Sequence, residues 1–192
     1  MVEHKITLHE VLQIVDSTKV KARTDLADIY LKESGRLVTD ADRSLELSIK
    51  EKDTKRKGEF SFEERKSSII SILLSVFGLE AYINKIGHDE LEDIWEVTER
   101  NSLPSKLLTY PLIITGKTLD KNKAPFSNFK EIKKWRDELV HYKMYESKDL
   151  IEHPSGIKVP AIYKIANAKN AKLAFDTVTE IIREIEKMLG RK

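Results

Sequence analysis

The stretch from Ile69 to Ile83, IISILLSVFGLEAYI, sets the tightest limit on what this chain can become. Apolar side chains occur nearly all the way round at helical spacing, broken mainly by the small residues Ser71, Ser75 and Gly78. A helix apolar on most sides has to be covered on most sides, so other helices must surround it. With seven Gly and five Pro in 192 residues, the remainder supplies few turns and reads as helical as well. The expected architecture is an all-α bundle with long central helices. A single domain over residues 1–192 suffices, with a core at about 19–145 completed by a C-terminal helix at 168–189.

Ser61 and Glu64 have capping-box spacing, which predicts that the apolar helix opens near Phe62 and is ended by Gly87. Its exceptions are Glu80 and Asn84, one turn apart on one face. A lone buried carboxylate is costly unless paired, so the two either line a functional cleft, bonding Arg136, or form a partly exposed face or structural salt bridge. Upstream, Leu8, Val11, Leu12 and Val15 suggest a short helix at 7–17, and approximate helical spacing predicts one long or kinked helix from Lys19 to Lys57, weakest at Gly35. The charged run from Lys50 to Gly58 reads as a solvated helix end followed by a turn, with phosphate contact as the lesser alternative.

Downstream, Asp89 and Glu92 predict a helix at 88–100 with Leu91, Ile94, Trp95 and Val97 inward. Its carboxylates fit the helix dipole better than a metal site. In residues 102–116 Pro104 marks a helix start and Pro111 a kink or stop. A lysine-bearing loop follows at 117–127. Residues 146–165 read as a loop or small hairpin around IKV and AIYKI, and 168–189 as a strongly amphipathic helix closed by Gly190 that packs on the apolar helix.

The chain contains no Cys, which removes disulfides, thiolate metal sites and a Cys nucleophile. His4, His9, His88 and His153 are scattered singly, and no phosphate-cradling glycine loop or nucleophile elbow occurs. No cofactor or metal is expected. A net charge of +2 is too small to identify a nucleic-acid binder, so any such reading rests on local clustering. The N-terminus lacks an apolar signal core and no run suggests a membrane span, which makes a cytoplasmic protein the expectation.

Clustering does occur at 128–143, NFKEIKKWRDELVHYK. Asn128 and Glu131 predict a helix start, and Phe129, Ile132, Trp135, Leu139 and Val140 form the stripe facing a core. Lys130, Lys133, Lys134, Arg136 and Lys143 lie away from it or at its edges. At about 100° per residue Asp137 and His141 share a face, so the carboxylate could hold the imidazole. Arg136 and His141 point about 140° apart, and a second copy of the helix would help them meet on one phosphate.

In WRDELVHYK, the order Arg136, Asp137, Leu139, Val140, His141 resembles the Arg-polar-x-x-x-His signature of HEPN domains. SIISILLSVFGLEAYIN, within residues 61–87, resembles the long helix of that family. The likeness covers residues 60–145 well and the rest by helix order. It implies an all-α fold and, for many members, metal-independent endoribonuclease activity through the ribose 2′-hydroxyl. His141 would be the acid or base, Arg136 the phosphate-binding cation and Asp137 the orienting group. Lys130, Lys133, Lys134, Tyr142 and Lys143 would contact RNA, with Glu80 and Asn84 supporting the cleft. It also implies a homodimer and, by family habit, a toxin with a separate antitoxin partner. The alternative is a non-catalytic RNA-binding or scaffolding domain.

Overall fold

A computed structural model describes residues 8–141 and 150–191, with side chains of the first helix described from Leu26 onward. It is mostly helical, 77%, with six α-helices and one two-stranded sheet among the described residues. Helix α1 spans Leu8–Lys50 and α2 spans Thr54–Glu90. They run antiparallel along most of their length and form the spine of the molecule. The short α3 (Asp93–Thr98) and α4 (Leu103–Thr115) cover the C-terminal end of α2, and α5 (Phe126–Val140) lies against α2 and α6. A hairpin of β1 (Leu150–Glu152) and β2 (Lys158–Pro160) leads through a 3-10 turn into α6 (Ala168–Met188), which packs on α1 and α2.

The interior of α2 explains this arrangement. Ile72, Leu79 and Ile83 are wholly buried, and full burial of each such side chain contributes about 1.5–3 kcal/mol. Facing α1, α2 presents small residues instead. Ser34 Oγ of α1 lies 3.0 Å from Ser71 Oγ and 2.8 Å from Ser75 Oγ, while Ser71 Oγ donates to the Ser34 carbonyl at 3.1 Å. A Cβ on Gly78 would come 2.9 Å from the Leu31 side chain. The helices approach this closely because the seam is built from Ser and Gly. Ser34, Ser71 and Ser75 satisfy their hydroxyls across it, whereas the buried hydroxyls of Ser61 and Ser68 find no partner among the described residues.

Several boundaries differ from the sequence reading. Residues 7–17 and 19–57 are not two elements. One helix runs through Gly35, where the Phe175 ring packs against the bare Cα and a Cβ would sit 3.0 Å from it. Helix α2 opens at Thr54, not Phe62. Asp53 is its N-cap and accepts from Arg56 N at 2.9 Å, so the charged run divides between a three-residue turn and the first turn of α2. Gly87 does not end it. A side chain there would clash with Tyr110 and Trp95, at 2.5 and 2.6 Å, so Gly87 admits α3 and α4 while the helix continues to Glu90.

The expected helix at 88–100 is shorter. Its N-cap is Glu92, at φ 45°, with no side-chain cap, and Ile94 and Val97 face outward rather than inward because Trp95 takes the inward position. Pro104 stands in the first turn of α4 as expected. Pro111 lies inside that helix and does not stop it. Helix α5 starts at Phe126 without a capping side chain, two residues before Asn128. IKV contributes to β2 as expected, whereas AIYK forms the 3-10 turn. Among the described helices α2 is, by length and composition, apolar enough to cross a membrane, contrary to the expectation that no run approaches a span. Here it is the central helix of the bundle.

Candidate functional site

Helix α5 presents the candidate residues in sequence order along one short rod. Phe129 and Ile132 are fully buried, and Trp135 and Leu139 pack at the edge of the core. Val140 is 48% exposed, so the apolar stripe ends at Leu139, one residue before the helix does. Lys130 and Lys134 are exposed. Lys130 Nζ donates to the Lys121 carbonyl at 3.0 Å, tying the preceding loop to the outer face of the helix.

Arg136 turns toward α2. Its guanidinium lies 5.7 Å from the centre of the Phe77 ring, and Nη1 donates to Asp137 Oδ1 at 3.0 Å. The side chain is 29% exposed, and Nε is buried without a hydrogen-bond partner among the described residues. Such a nitrogen is unusual, because an unpaired buried donor costs about 1–3 kcal/mol. Cation–π contact offsets part of this cost and leaves hydrogen-bonding capacity free.

Asp137 does not hold His141. Its carboxylate accepts from Lys133 Nζ at 2.6 Å and from Arg136 Nη1. The Lys133 hydrogen bond, opposed by partial burial and supported by Arg136, keeps its carboxyl below the ordinary range. His141 is the exposed C-cap of α5, and its backbone N–H donates to the Asp137 carbonyl at 3.0 Å. One turn of helix thus joins the two residues through the main chain. Tyr142 and Lys143 lie outside the described residues.

Glu80 and Asn84 do not support Arg136. Asn84 Oδ1 accepts from Lys106 Nζ of α4 at 2.8 Å, and that ammonium also lies 5.5 Å from the Trp95 ring centre. Burial pushes Lys106 below its ordinary value, and the charges of Glu80 and Glu99 oppose the shift. Of the two alternatives read from sequence, Asn84 therefore serves a structural contact between α2 and α4.

A second polar constellation escaped the sequence reading. His153, taken to be solitary, is 1% exposed and lies with its Nε2 2.9 Å from Glu64 Oε2. Glu64, taken to be a capping residue, is instead buried in the middle of α2. It also accepts from the Tyr163 hydroxyl and, at 3.1 Å, from Ala168 N at the start of α6. The backbone N–H of Ser155 reaches His153 Nδ1 at 3.0 Å and Ser155 Oγ lies 2.7 Å from the same nitrogen. Because a backbone N–H only donates, Nδ1 accepts and Nε2–H donates to the carboxylate. Burial, with the Glu64 hydrogen bond second, pushes the Tyr163 hydroxyl well above its ordinary value.

This cluster fastens the hairpin and the head of α6 to α2, assisted by Lys57 Nζ, which donates to the Ser155 carbonyl at 3.0 Å. One sequence signal existed. Ser61, Glu64, Ser68, Ser71 and Ser75 recur at three- and four-residue intervals, placing a carboxylate in the small-residue row. Ser, His and Glu in contact have the ingredients of a nucleophilic triad, but all three are buried, with the Ser155 bonds closing the hairpin turn and the Glu64 bond joining that turn to α2. Among the described residues, no group of three or more His, Asp or Glu side chains is placed to hold a metal ion. No family model, curated protein or solved structure matches the chain.

Proposed function

We propose that the chain is a HEPN-type, metal-independent endoribonuclease, acting as a toxin or defence component, with α5 as its RNA-facing helix. The observation that carries this reading is an accessible imidazole at the end of a lysine-bearing helix, five residues after a guanidinium with an unpartnered nitrogen. In the proposed reaction His141 takes the proton of a ribose 2′-hydroxyl. The 2′-oxygen attacks the adjacent phosphorus, and the 5′-oxygen leaves with a proton supplied by an acid group. The products are a 2′,3′-cyclic phosphate and a 5′-hydroxyl. Arg136 offsets the charge that builds on the phosphate oxygens, and Lys130, Lys133 and Lys134, with Tyr142 and Lys143, hold the flanking strand.

Within one chain Arg136 leans onto α2 while His141 stands at the helix end. A homodimer that places Arg136 of one copy near His141 of the other supplies the missing convergence. An antitoxin protein covering α5 is part of the proposal on the strength of the family resemblance.

The test is cleavage of a labelled single-stranded RNA by wild type, His141→Ala and Arg136→Ala, each checked for helicity. Loss of cyclic-phosphate product in both variants supports the reading. Equal cleavage in wild type and His141→Ala overturns it.

A second reading is favoured by one observation: Asp137 is committed to Lys133 and Arg136 and leaves the imidazole without an orienting carboxylate. On that reading the domain binds RNA or a protein without cutting. RNA affinity that falls steeply with salt, without turnover, identifies the RNA-binding form.

A further inference from the structure

A net charge of +2 conceals two oppositely charged surfaces that no ion pair connects among the described residues. The first is α3 with its flanks. Trp95 packs into the notch left by Gly87 and against the edge of the Tyr110 ring, pinning the inner face of the helix. The outer face is consequently fixed in the open, with Val97 83% and Ile94 47% exposed. Around these two apolar side chains stand the exposed carboxylates Glu92, Asp93, Glu96 and Glu99. Asp89 and Glu90 beside them are already paired, with His88 and Arg191.

The second surface is the loop before α5 and the N-terminal half of that helix. Lys117, Lys121, Lys123, Lys130 and Lys134 are exposed there, Lys123 paired with Asp120, and Glu131 is the other exposed carboxylate of this face. The bond from Lys130 Nζ to the Lys121 carbonyl draws loop and helix into one basic face. Lys130 and Lys134, four apart, share that face.

We propose that the apolar, acid-rimmed outer face of α3 docks on the basic face of loop 117–123 and α5 in a second copy of this chain. Complementary charge argues for this occupant. The chain itself carries a lysine surface whose long apolar stems can cover Ile94 and Val97 while the ammonium groups meet the four carboxylates. Under a two-fold axis the contact forms twice, since each copy offers both faces. Lys130 and His141 are about 16 Å apart along the helix at 1.5 Å per residue. The contact does not use Arg136 or His141, but it takes up Lys130 and Lys134, which the proposed function assigns to the flanking RNA strand, so RNA and the second copy compete for this face and the test is made without RNA.

Sedimentation velocity on the full chain without RNA, over a concentration series at low and high salt, tests the proposal. The wild type is expected to form a dimer that dissociates as salt rises. Val97→Asp and the double reversal Glu92→Lys/Glu96→Lys change exposed side chains, so folding is retained. Each is expected to weaken dimerisation about tenfold or more. Adding Lys130→Glu/Lys134→Glu to the acidic-face reversal is expected to restore the dimer. A wild type that stays monomeric throughout, or a dimer indifferent to these reversals, overturns the proposal. Because no RNA is present, that failure is separate from failure of the cleavage assay.

Discussion

His153 and His141 are the same side chain in opposite surroundings. His153 is sealed between α2 and the hairpin, with Nε2 at Glu64 and Nδ1 at the Ser155 amide, while His141 stands exposed at the end of α5 with Asp137 engaged by Lys133 and Arg136. The contrast separates a histidine that specifies a fold from one available for chemistry. In a low-dielectric interior a polar group left unpaired costs far more than its bond contributes, so a buried cluster must be complete and therefore fixes the elements that complete it. An exposed imidazole carries no such obligation and can exchange protons with a substrate.

The largest expected effect comes from breaking the buried side of this contrast. Glu64→Ala removes the acceptor shared by His153, Tyr163 and Ala168 N, and is expected to cost about 3–5 kcal/mol in chemical denaturation. A loss below about 1 kcal/mol would mean that the cluster does not hold the hairpin. His141→Ala marks the exposed side. It is expected to lower RNA cleavage by about 10² to 10⁴-fold while changing stability by no more than about 0.5 kcal/mol, as substitutions at open positions do.

Gly87→Ala tests whether the α3 face depends on the notch that seats Trp95. A Cβ meeting Tyr110 and Trp95 at 2.5 and 2.6 Å is expected to cost about 1–3 kcal/mol by overpacking and to shift tryptophan fluorescence. The smallest effect concerns Asp137. Lys133 and then Arg136 hold its carboxyl below the ordinary value of 3.8. A depressed carboxyl contributes stability above its unfolded value and loses it as pH falls through the folded one. At 37% exposure the pair is screened, so Asp137→Asn is expected to cost a few tenths of a kcal/mol at neutral pH and about nothing near pH 2. A loss independent of pH would mean that shape, not charge, is what Asp137 supplies.

Much of the helical architecture was legible. The apolar run in α2, the amphipathic pattern of α6 and the core stripe of α5 are local regularities, and each appears as a helix with most of the expected inward residues, Val140 being an exception in α5. Helix starts were less so. Ser61/Glu64, Asn128/Glu131 and Asp89/Glu92 all have capping-box spacing, yet none forms a capping box here, and Glu92 stands at the N-cap of α3 without a side-chain bond. Spacing shows only that a cap could form. Helix α2 opens earlier, where the Asp53 carboxylate accepts from Arg56 N, and Lys57 of its first turn donates to the Ser155 carbonyl of the hairpin. In the candidate site the order of Arg136, Asp137 and His141 was legible, but their partners were not.

The sequence by itself determined which segments are helical and which faces are apolar, since those depend on periodicity within a few turns. Only the tertiary structure decided that Glu64 meets a histidine 89 residues away, that Asn84 holds Lys106 rather than Arg136, and that α3 turns Val97 outward. The physical reason is one of range. Backbone geometry repeats locally, whereas satisfying a buried charge or filling the space over a glycine depends on whichever distant segment folding brings alongside.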